Sequence, residues 1–206
     1  MDYRTFIERF DERYPFSIKQ IRLQEKGFFL QQLHNREKRG WIKKIIRWWW
    51  VFDKALKNNG IWALTANAIC EPSYLGLQWA LRYYNLIPEW VFEYTCCTTK
   101  KTQKYNTVVG SIVYRCIHAR YYRWYDLISI GKYKNIRISS PEKTICDYIY
   151  LHNKIVDLDD FEEMRINTFV WKEIWSNKLL IEYSKKYPTR VQKMVKIFIS
   201  YVSNNA

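Results

Sequence analysis

Apolar residues near the start of the chain recur every three or four positions, the spacing that places side chains on one face of a helix. This pattern predicts a first helix over residues 3–14. A short second helix is predicted to begin after Ser17, whose hydroxyl can cap it, and a third follows a flexible turn at Lys26 and Gly27. Gly40 is predicted to end the third helix in the left-handed conformation.

Beyond the third helix the apolar period shifts towards two, as a β-strand requires. The pattern predicts strands over 41–46 and 49–53, joined at Arg47 and Trp48. This connection lacks the Gly, Asn or Asp that a tight hairpin prefers, so a short or irregular hairpin is expected. Helices followed by a β-hairpin are typical of a winged helix-turn-helix, which binds DNA through its third helix. We therefore predict a winged helix-turn-helix DNA-binding domain over residues 1–57.

The remaining residues, 58–206, are predicted to form a mixed C-terminal domain. Polar residues around Asn58 and Gly60 mark the boundary. Runs rich in Val, Ile, Thr and Tyr predict an antiparallel sheet, and helical patterns after Ser140 predict a C-terminal helical bundle. The predicted elements are helices at 62–70 and 75–85, antiparallel strands within about 91–139 (at 91–99, 107–118, 126–130 and 134–139), and helices within about 141–203 (from Pro141 and at 159–167, 170–187 and 188–202). The expected fold class is α+β.

Composition and charge then indicate a polyanionic partner. The 206 residues are 48% hydrophobic and 18% aromatic, which excludes a disordered basic tail. The net charge is +14, and neutralising phosphates releases their counterions. Residues 1–57 contain 14 Lys and Arg against 7 Asp and Glu, whereas the remaining 149 residues contain 20 against 13. The excess positive charge is therefore denser in the predicted DNA-binding domain.

The outer face of the third helix supplies the candidate base contacts. Gln and Asn side chains can pair with adenine in the major groove, and Arg can pair with guanine. The residues predicted to face outward are Gln31, Gln32, Asn35 and Arg36. Basic side chains around them are predicted to hold phosphates or to enter the minor groove: Lys26, Lys38, Arg39, Lys43, Lys44 and Arg47. Alternatively, these residues form only the solvated face of a small helical domain.

Consecutive tryptophans at Trp48, Trp49 and Trp50 allow two interpretations. They could be stacking platforms for single-stranded nucleic acid. Alternate members of the run could instead pack against the first helix and the second domain, and the alternation of a strand favours packing.

The sequence contains no convincing catalytic or metal-binding pattern. Its five cysteines form neither an even framework nor a C-x-x-C pair, and its three histidines are scattered. Its six glycines form no phosphate-binding loop. We therefore predict no catalytic residue, no metal ion and no cofactor, and we do not expect an enzyme. The start of the chain lacks an export signal, and its most apolar run is too short to cross a bilayer, so no membrane association is predicted.

Three stretches of this chain resemble the AbiEi family of antitoxins and transcriptional regulators, from bacterial type IV toxin–antitoxin systems. The first is Lys38-Arg39-Gly40-Trp41-Ile42, similar to the family's helix end and wing start. The second is Pro72-Ser73-Tyr74-Leu75-Gly76-Leu77-Gln78-Trp79-Ala80-Leu81 with Asn85-Leu86-Ile87-Pro88-Glu89. The third is Ser140-Pro141-Glu142-Lys143-Thr144-Ile145-Cys146-Asp147, similar to the family's Thr-Pro-Glu-Lys-Ala-Leu-Leu-Asp. The chain departs from the family at Arg47-Trp48, where the wing usually turns at Arg-Gly, and at Asn85, where glycine is common.

The resemblance implies a cytoplasmic two-domain protein. Its N-terminal domain would repress its own operon by binding inverted repeats in double-stranded DNA. Its C-terminal antitoxin domain would counter a co-encoded nucleotidyltransferase-like toxin without forming a stable complex. The family motif here is Ser140, Pro141, Glu142, Lys143 and Asp147, and its expected role is structural: a capped helix start whose Asp147 braces a neighbouring strand.

Two alternatives stay open at this point. The protein could be a plain winged-helix transcriptional regulator whose C-terminal domain dimerises or senses a ligand, with no toxin partner. The basic residues of the C-terminal domain could face DNA, RNA or only solvent: Lys100, Lys101, Lys104, Arg120 and Arg123. The sequence does not indicate the oligomeric state.

Overall fold

The computed structural model describes residues 2–58, 60–108 and 110–205, which form an α+β fold with two separate sheets. The smaller sheet lies in the N-terminal quarter of the chain and has the strand order β1-β3-β2, with both pairings antiparallel. The elements of this part are α1 (Tyr3–Arg9), β1 (Phe16–Ser17), α2 (Ile18–Gln24), α3 (Leu30–Lys38), β2 (Ile42–Ile46) and β3 (Trp49–Phe52), followed by a 3₁₀ helix at Asp53–Lys57.

Local hydrogen bonds explain where these first helices begin and end. The Ser17 hydroxyl accepts from the backbone N–H of Gln20, whose side chain in turn accepts from the N–H of Ser17, so α2 starts in a capping box. Gly40 adopts φ +74° directly after α3, as predicted. The first helix is shorter than the predicted 3–14, because the Asp11 carboxylate accepts from the backbone N–H of Arg13 and holds a turn there.

The larger sheet has six strands in the order β6-β7-β5-β4-β9-β8. In chain order, helix α4 precedes the first strand of this sheet, β4, and helix α5 follows it. Helices α6 to α10 follow the last strand, β9. The elements are α4 (Gly60–Ile69), β4 (Ser73–Leu75), α5 (Leu77–Tyr83), β5 (Tyr94–Thr98), β6 (Gln103–Thr107), β7 (Gly110–Cys116), a 3₁₀ helix (Ala119–Tyr121), β8 (Tyr125–Ile130), β9 (Tyr133–Ser139), α6 (Pro141–Leu151), α7 (Asp159–Glu163), α8 (Thr168–Ile174), α9 (Asn177–Ser184) and α10 (Thr189–Asn204).

The prediction of an antiparallel sheet is wrong, because this sheet is mixed. Strands β5 and β7 are parallel, as are β4 and β9, while the other pairings are antiparallel. After β5 the chain passes the position of β7, forms β6 at the sheet edge, and returns in β7 between β6 and β5. Local sequence patterns do not encode the position that each strand takes in the sheet.

Two strands and one helix break differ from the predicted elements. Strand β4 occupies the residues just before the predicted 75–85 helix and includes its first residue, Leu75. Strand β6 was not predicted, because its polar side chains are half-exposed at the sheet edge. The predicted helix at 170–187 is divided into α8 and α9 at Ser176. The Ser176 hydroxyl caps α9, and its backbone N–H donates to Glu142 at 3.2 Å, so a tertiary contact fixes the break.

The described apolar side chains form three buried clusters. The first lies between the N-terminal helices and one face of the smaller sheet, and the third lies beneath α5, α6 and the C-terminal helices. The second is shared, because Ile45, Val51 and Ala55 pack with α4 and with Tyr133 and its neighbours on the larger sheet. Strand β3 is therefore buried on both faces, because Trp50 and Phe52 pack in the first cluster and Val51 packs in the second, and it joins the two parts of the fold.

An irregularity in β2 supplies one residue of this shared cluster. Lys44 pairs with Trp50 and Ile46 pairs with Trp49, so Ile45 is an extra residue in the strand. Ile45 is buried in the shared cluster.

Within the described ranges, no helix combines the length and the apolar character needed to cross a membrane.

Candidate nucleic-acid interface

Helix α3 presents a polar stripe to solvent. Gln31, Asn35 and Lys38 are exposed and lie four and three residues apart, so they share one face of the helix. The Gln31 side-chain amide donates to the Asn35 side-chain oxygen at 3.2 Å. The two amides retain further donors and an acceptor, which is the set that reads base edges in the major groove.

The expected outward orientation of Arg36 is wrong. Its side chain is only 6% exposed, and its guanidinium lies 4.3 Å from the centre of the Phe6 ring and 5.4 Å from that of Phe28. Burial lowers the pKa of this guanidinium. Arg36 lies three residues after the buried Leu33 and therefore on the inner face. That spacing was visible in the sequence and could have assigned Arg36 to the inner face.

Gln32 lies between the two faces. It is half-buried, and it borders a shallow depression together with Asn35, Arg39 and Trp41. The buried Arg36 also lines this depression, so the structure brings four of the predicted site residues together at the C-terminal side of α3. Arg39 is held there by Trp41, because its guanidinium lies 5.0 Å from the indole centre.

All six predicted phosphate-binding side chains are exposed: Lys26, Lys38, Arg39, Lys43, Lys44 and Arg47. They extend from the turn before α3, along its end, and through β2 to the hairpin turn. The backbone N–H of Lys44 donates to Glu37 at 3.3 Å, which fixes β2 beside α3. These cations therefore precede, end and follow the helix that carries the polar stripe.

The hairpin turn is tied to the start of α2. Trp48 adopts φ +71°, an uncommon conformation for a large side chain, and its carbonyl accepts from the backbone N–H of Ile18 at 3.1 Å. Lys19 and Arg22 of α2 are also exposed and border a groove with Trp48. Neither cation is among the residues predicted from the sequence to bind DNA. Their position on the outer face of the amphipathic α2 was the signal that could have found them.

The three consecutive tryptophans have different environments. Trp50 is 1% exposed and packs in the N-terminal core, Trp49 is half-buried, and Trp48 is 42% exposed with the Arg47 guanidinium 4.9 Å from its ring centre. The packing interpretation is therefore correct for Trp50. Trp48 lies at the tip of the hairpin, beside the candidate phosphate-binding cations.

The motif at the start of α6 is buried rather than exposed. Ser140 caps the helix by accepting from the N–H of Lys143 at 3.3 Å, Pro141 occupies the first turn, and Glu142 accepts from the N–H of Ser176. Lys143 and Asp147 are both fully buried and form an ion pair.

Two tyrosines complete the polar contacts of Asp147. Its carboxylate accepts from Tyr74 of β4 and from Tyr187, each at 2.7 Å. Burial, and secondarily the Asp147 carboxylate, raise the pKa of both hydroxyls. The network thus links α6 to a strand and to the C-terminal helices. These contacts favour a structural role for the motif, because they tie α6 to β4 and to the segment between α9 and α10.

The other candidate groups in the described part of the chain are metal ligands, thiols and the basic residues of the C-terminal region. There, no three His, Cys, Asp or Glu side chains lie close enough together to hold a metal ion. Burial raises the pKa of the thiols of Cys96, Cys97 and Cys146, which disfavours the reactive thiolate. The five basic residues considered in the C-terminal region are exposed, and Lys104 pairs with Glu93 at 2.5 Å.

No family model matches the chain, and a comparison with curated proteins finds no similar sequence.

Proposed function

We propose that residues 1–57 form a winged helix-turn-helix that binds double-stranded DNA, with α3 in the major groove. The observation that carries this proposal is the exposed stripe of Gln31, Asn35 and Lys38, bordered by cations from the turn before α3 to the tip of the hairpin. The amides would contact base edges, and the cations would hold phosphates on either side. The hairpin would act as the wing, with Arg47 at its tip.

The buried Arg36 takes no part in base contact in this proposal. It supports the helix from within, because its guanidinium lies against the rings of Phe6 and Phe28. Base contact is therefore assigned to Gln31 and Asn35, with Gln32 at the edge of the contact surface. Lys19 and Arg22 are added to the phosphate contacts, since they are exposed beside the wing.

Binding to a duplex from the protein's own promoter tests this assignment. Changing Gln31 and Asn35 together to alanine should weaken promoter binding and leave nonspecific duplex binding nearly unchanged, because base contacts specify while phosphate contacts position. Changing Lys43 and Lys44 to alanine should weaken binding to every duplex. It should also lower the slope of log K against log salt concentration by about 0.9 for each lost phosphate contact.

A matched control removes the same charge elsewhere. Lys100→Ala with Lys101→Ala also deletes two exposed lysines, which lie beyond β5 and outside the proposed wing. This control should keep the wild-type salt slope. Equal losses in both double variants would refute the assigned surface and leave only general basicity.

We further propose that the protein is an antitoxin that represses its own operon and counters a nucleotidyltransferase-like toxin in the cytoplasm. The resemblance of three stretches to the AbiEi family supports this part, including the motif from Ser140 to Asp147. Co-expression with an adjacent nucleotidyltransferase-like gene tests it by growth. The Gln31→Ala, Asn35→Ala variant should still rescue growth if neutralisation belongs to the C-terminal region. Promoter binding without any rescue would favour the plain regulator.

A further inference from the structure

An open cleft beside α5 is lined mainly by aromatic side chains. Its volume is about 440 Å³. It lies on the C-terminal part of the fold, between the end of α5 and the start of β5, and it shares no residue with the proposed DNA-binding surface. The lining residues are Trp79, Arg82, Tyr83, Asn85, Trp90 and Phe92, together with Val91 and Tyr94.

The rings on one side of the cleft form a stack. Trp79 is central, with the Tyr83 ring centre at 5.6 Å and an interplanar angle of 14°, and the Tyr94 ring centre at 5.7 Å with an angle of 30°. Tyr83 is 40% exposed at the edge of this stack. Near-parallel rings at an open edge provide a flat surface on which another planar ring can stack.

The segment before β5 contributes two rings that the fold leaves in solvent. Trp90 is 70% exposed and Phe92 is 77% exposed, although both are among the largest apolar side chains. Neighbouring exposed aromatics of this size commonly mark a binding surface. The cleft is therefore lined by rings from α5 and from the segment before β5.

The charge inside the cleft is positive. The Arg82 guanidinium lies 5.2 Å from the centre of the Trp90 ring and donates to the Asn85 side chain at 3.3 Å. The carboxylates next to the lining residues in the chain are already paired: Glu89 with Arg165 at 3.5 Å, and Glu93 with Lys104 at 2.5 Å. No carboxylate in the described residues pairs with Arg82 in this way. Arg82 is thus available to an anionic group.

We infer that this cleft binds the unpaired bases of a single-stranded nucleic acid, with Arg82 on a phosphate. Bases stack on aromatic side chains without regard to sequence, and a nearby cation follows the backbone. The net charge of +14 favours a polyanion over a neutral aromatic ligand. A mononucleotide fits less well, because small-ligand sites enclose most of their ligand and this cleft is open, with its most exposed rings in solvent.

Fluorescence anisotropy of the full chain with a labelled single-stranded oligouridylate of about 12 nucleotides tests the inference. Trp90→Ala with Phe92→Ala should weaken binding at least fivefold, the lower end of what one stacked base contributes. Trp90→Phe should keep most of the affinity, because it keeps a ring. The matched control, Leu127→Ala with Phe169→Ala, removes two similarly exposed apolar side chains elsewhere and should bind as wild type.

Further measurements separate this site from the proposed duplex surface. Lys43→Ala with Lys44→Ala should keep oligouridylate binding, whatever its effect on promoter duplex. The Trp90, Phe92 variant should keep its circular dichroism spectrum, because both side chains are exposed. Unchanged oligouridylate affinity in that variant would overturn the inference, as would loss of that affinity in the Lys43, Lys44 variant. If uridine monophosphate competes as effectively as unlabelled oligouridylate, the assignment of a polymeric ligand to the cleft would be overturned.

Discussion

The buried ion pair of α6 allows a quantitative prediction. Lys143 and Asp147 are both fully buried and lie four residues apart on the helix. Asp147 also accepts from Tyr74 and Tyr187, and Lys143 donates to Tyr187 at 2.6 Å. Lys143→Met and Asp147→Asn each remove one charge with little change in shape. Each single variant leaves the opposite charge buried and uncompensated.

The expected cost of either single change is about 3–5 kcal/mol, the range observed when one partner of a buried pair is removed. The double variant buries no charge, so it should lose less stability than the sum of the single losses, by about 2 kcal/mol. A matched control is the pair formed by Arg4 and Glu8, which has the same spacing on α1 but is 92% and 64% exposed. Coupling there should be only about 0.3–0.5 kcal/mol, because solvent screens exposed pairs.

Urea unfolding followed by tryptophan fluorescence measures these differences. With a slope of about 2–3 kcal/mol per molar urea, a loss of about 3–5 kcal/mol should move the midpoint down by roughly 1–2.5 M. Two results would refute the reasoning. One is a loss below about 1 kcal/mol in either single variant. The other is a double variant that loses the full sum of the two single losses.

Three other changes test the packing and the pH response. Gly60→Ala should destabilise the protein by about 1–3 kcal/mol, because the added carbon would lie 2.5 Å from the Ile130 carbonyl oxygen. The control is Gly27→Ala, whose added carbon meets nothing within 4 Å. Equal melting temperatures for the two variants would contradict this prediction. Ile45→Ala should cost about 2–5 kcal/mol in a single urea transition, because Ile45 lies in the core shared by both parts of the fold, and two separate transitions would argue against that shared core. Burial lowers the pKa of His152 in the folded state. The contribution of His152 to stability is therefore present above the unfolded pKa of about 6.5 and is lost as pH falls through the lower folded pKa. His152→Gln should flatten the dependence of the melting temperature on pH between pH 7.5 and 5, and an unaltered pH profile would disprove the effect.

Local rules in the sequence determined the helix boundaries that rest on neighbouring residues. Ser17 and Ser140 cap their helices because a hydroxyl reaches a backbone N–H three residues ahead. Gly40 ends α3 because glycine adopts positive φ at little cost. The hairpin at residues 42–52 followed from the change of apolar period, although its turn has no glycine. These features depend on groups only a few residues apart, so a single sequence is sufficient to predict them.

Tertiary contacts alone decided the strand order, the environment of Ile45 and the aromatic cleft. The parallel pairing of β5 with β7 depends on where β6 docks at the sheet edge. The second buried face of β3 depends on the cluster that holds Tyr133 and Ala55, which lie 78 positions apart and join through a hydrogen bond. Arg36 lies between these two cases, because its helical spacing could have placed it on the inner face, whereas its contacts with the rings of Phe6 and Phe28 come from the tertiary structure. Contacts between distant segments depend on which surfaces remain to be covered once local elements have formed, and no local pattern contains that information.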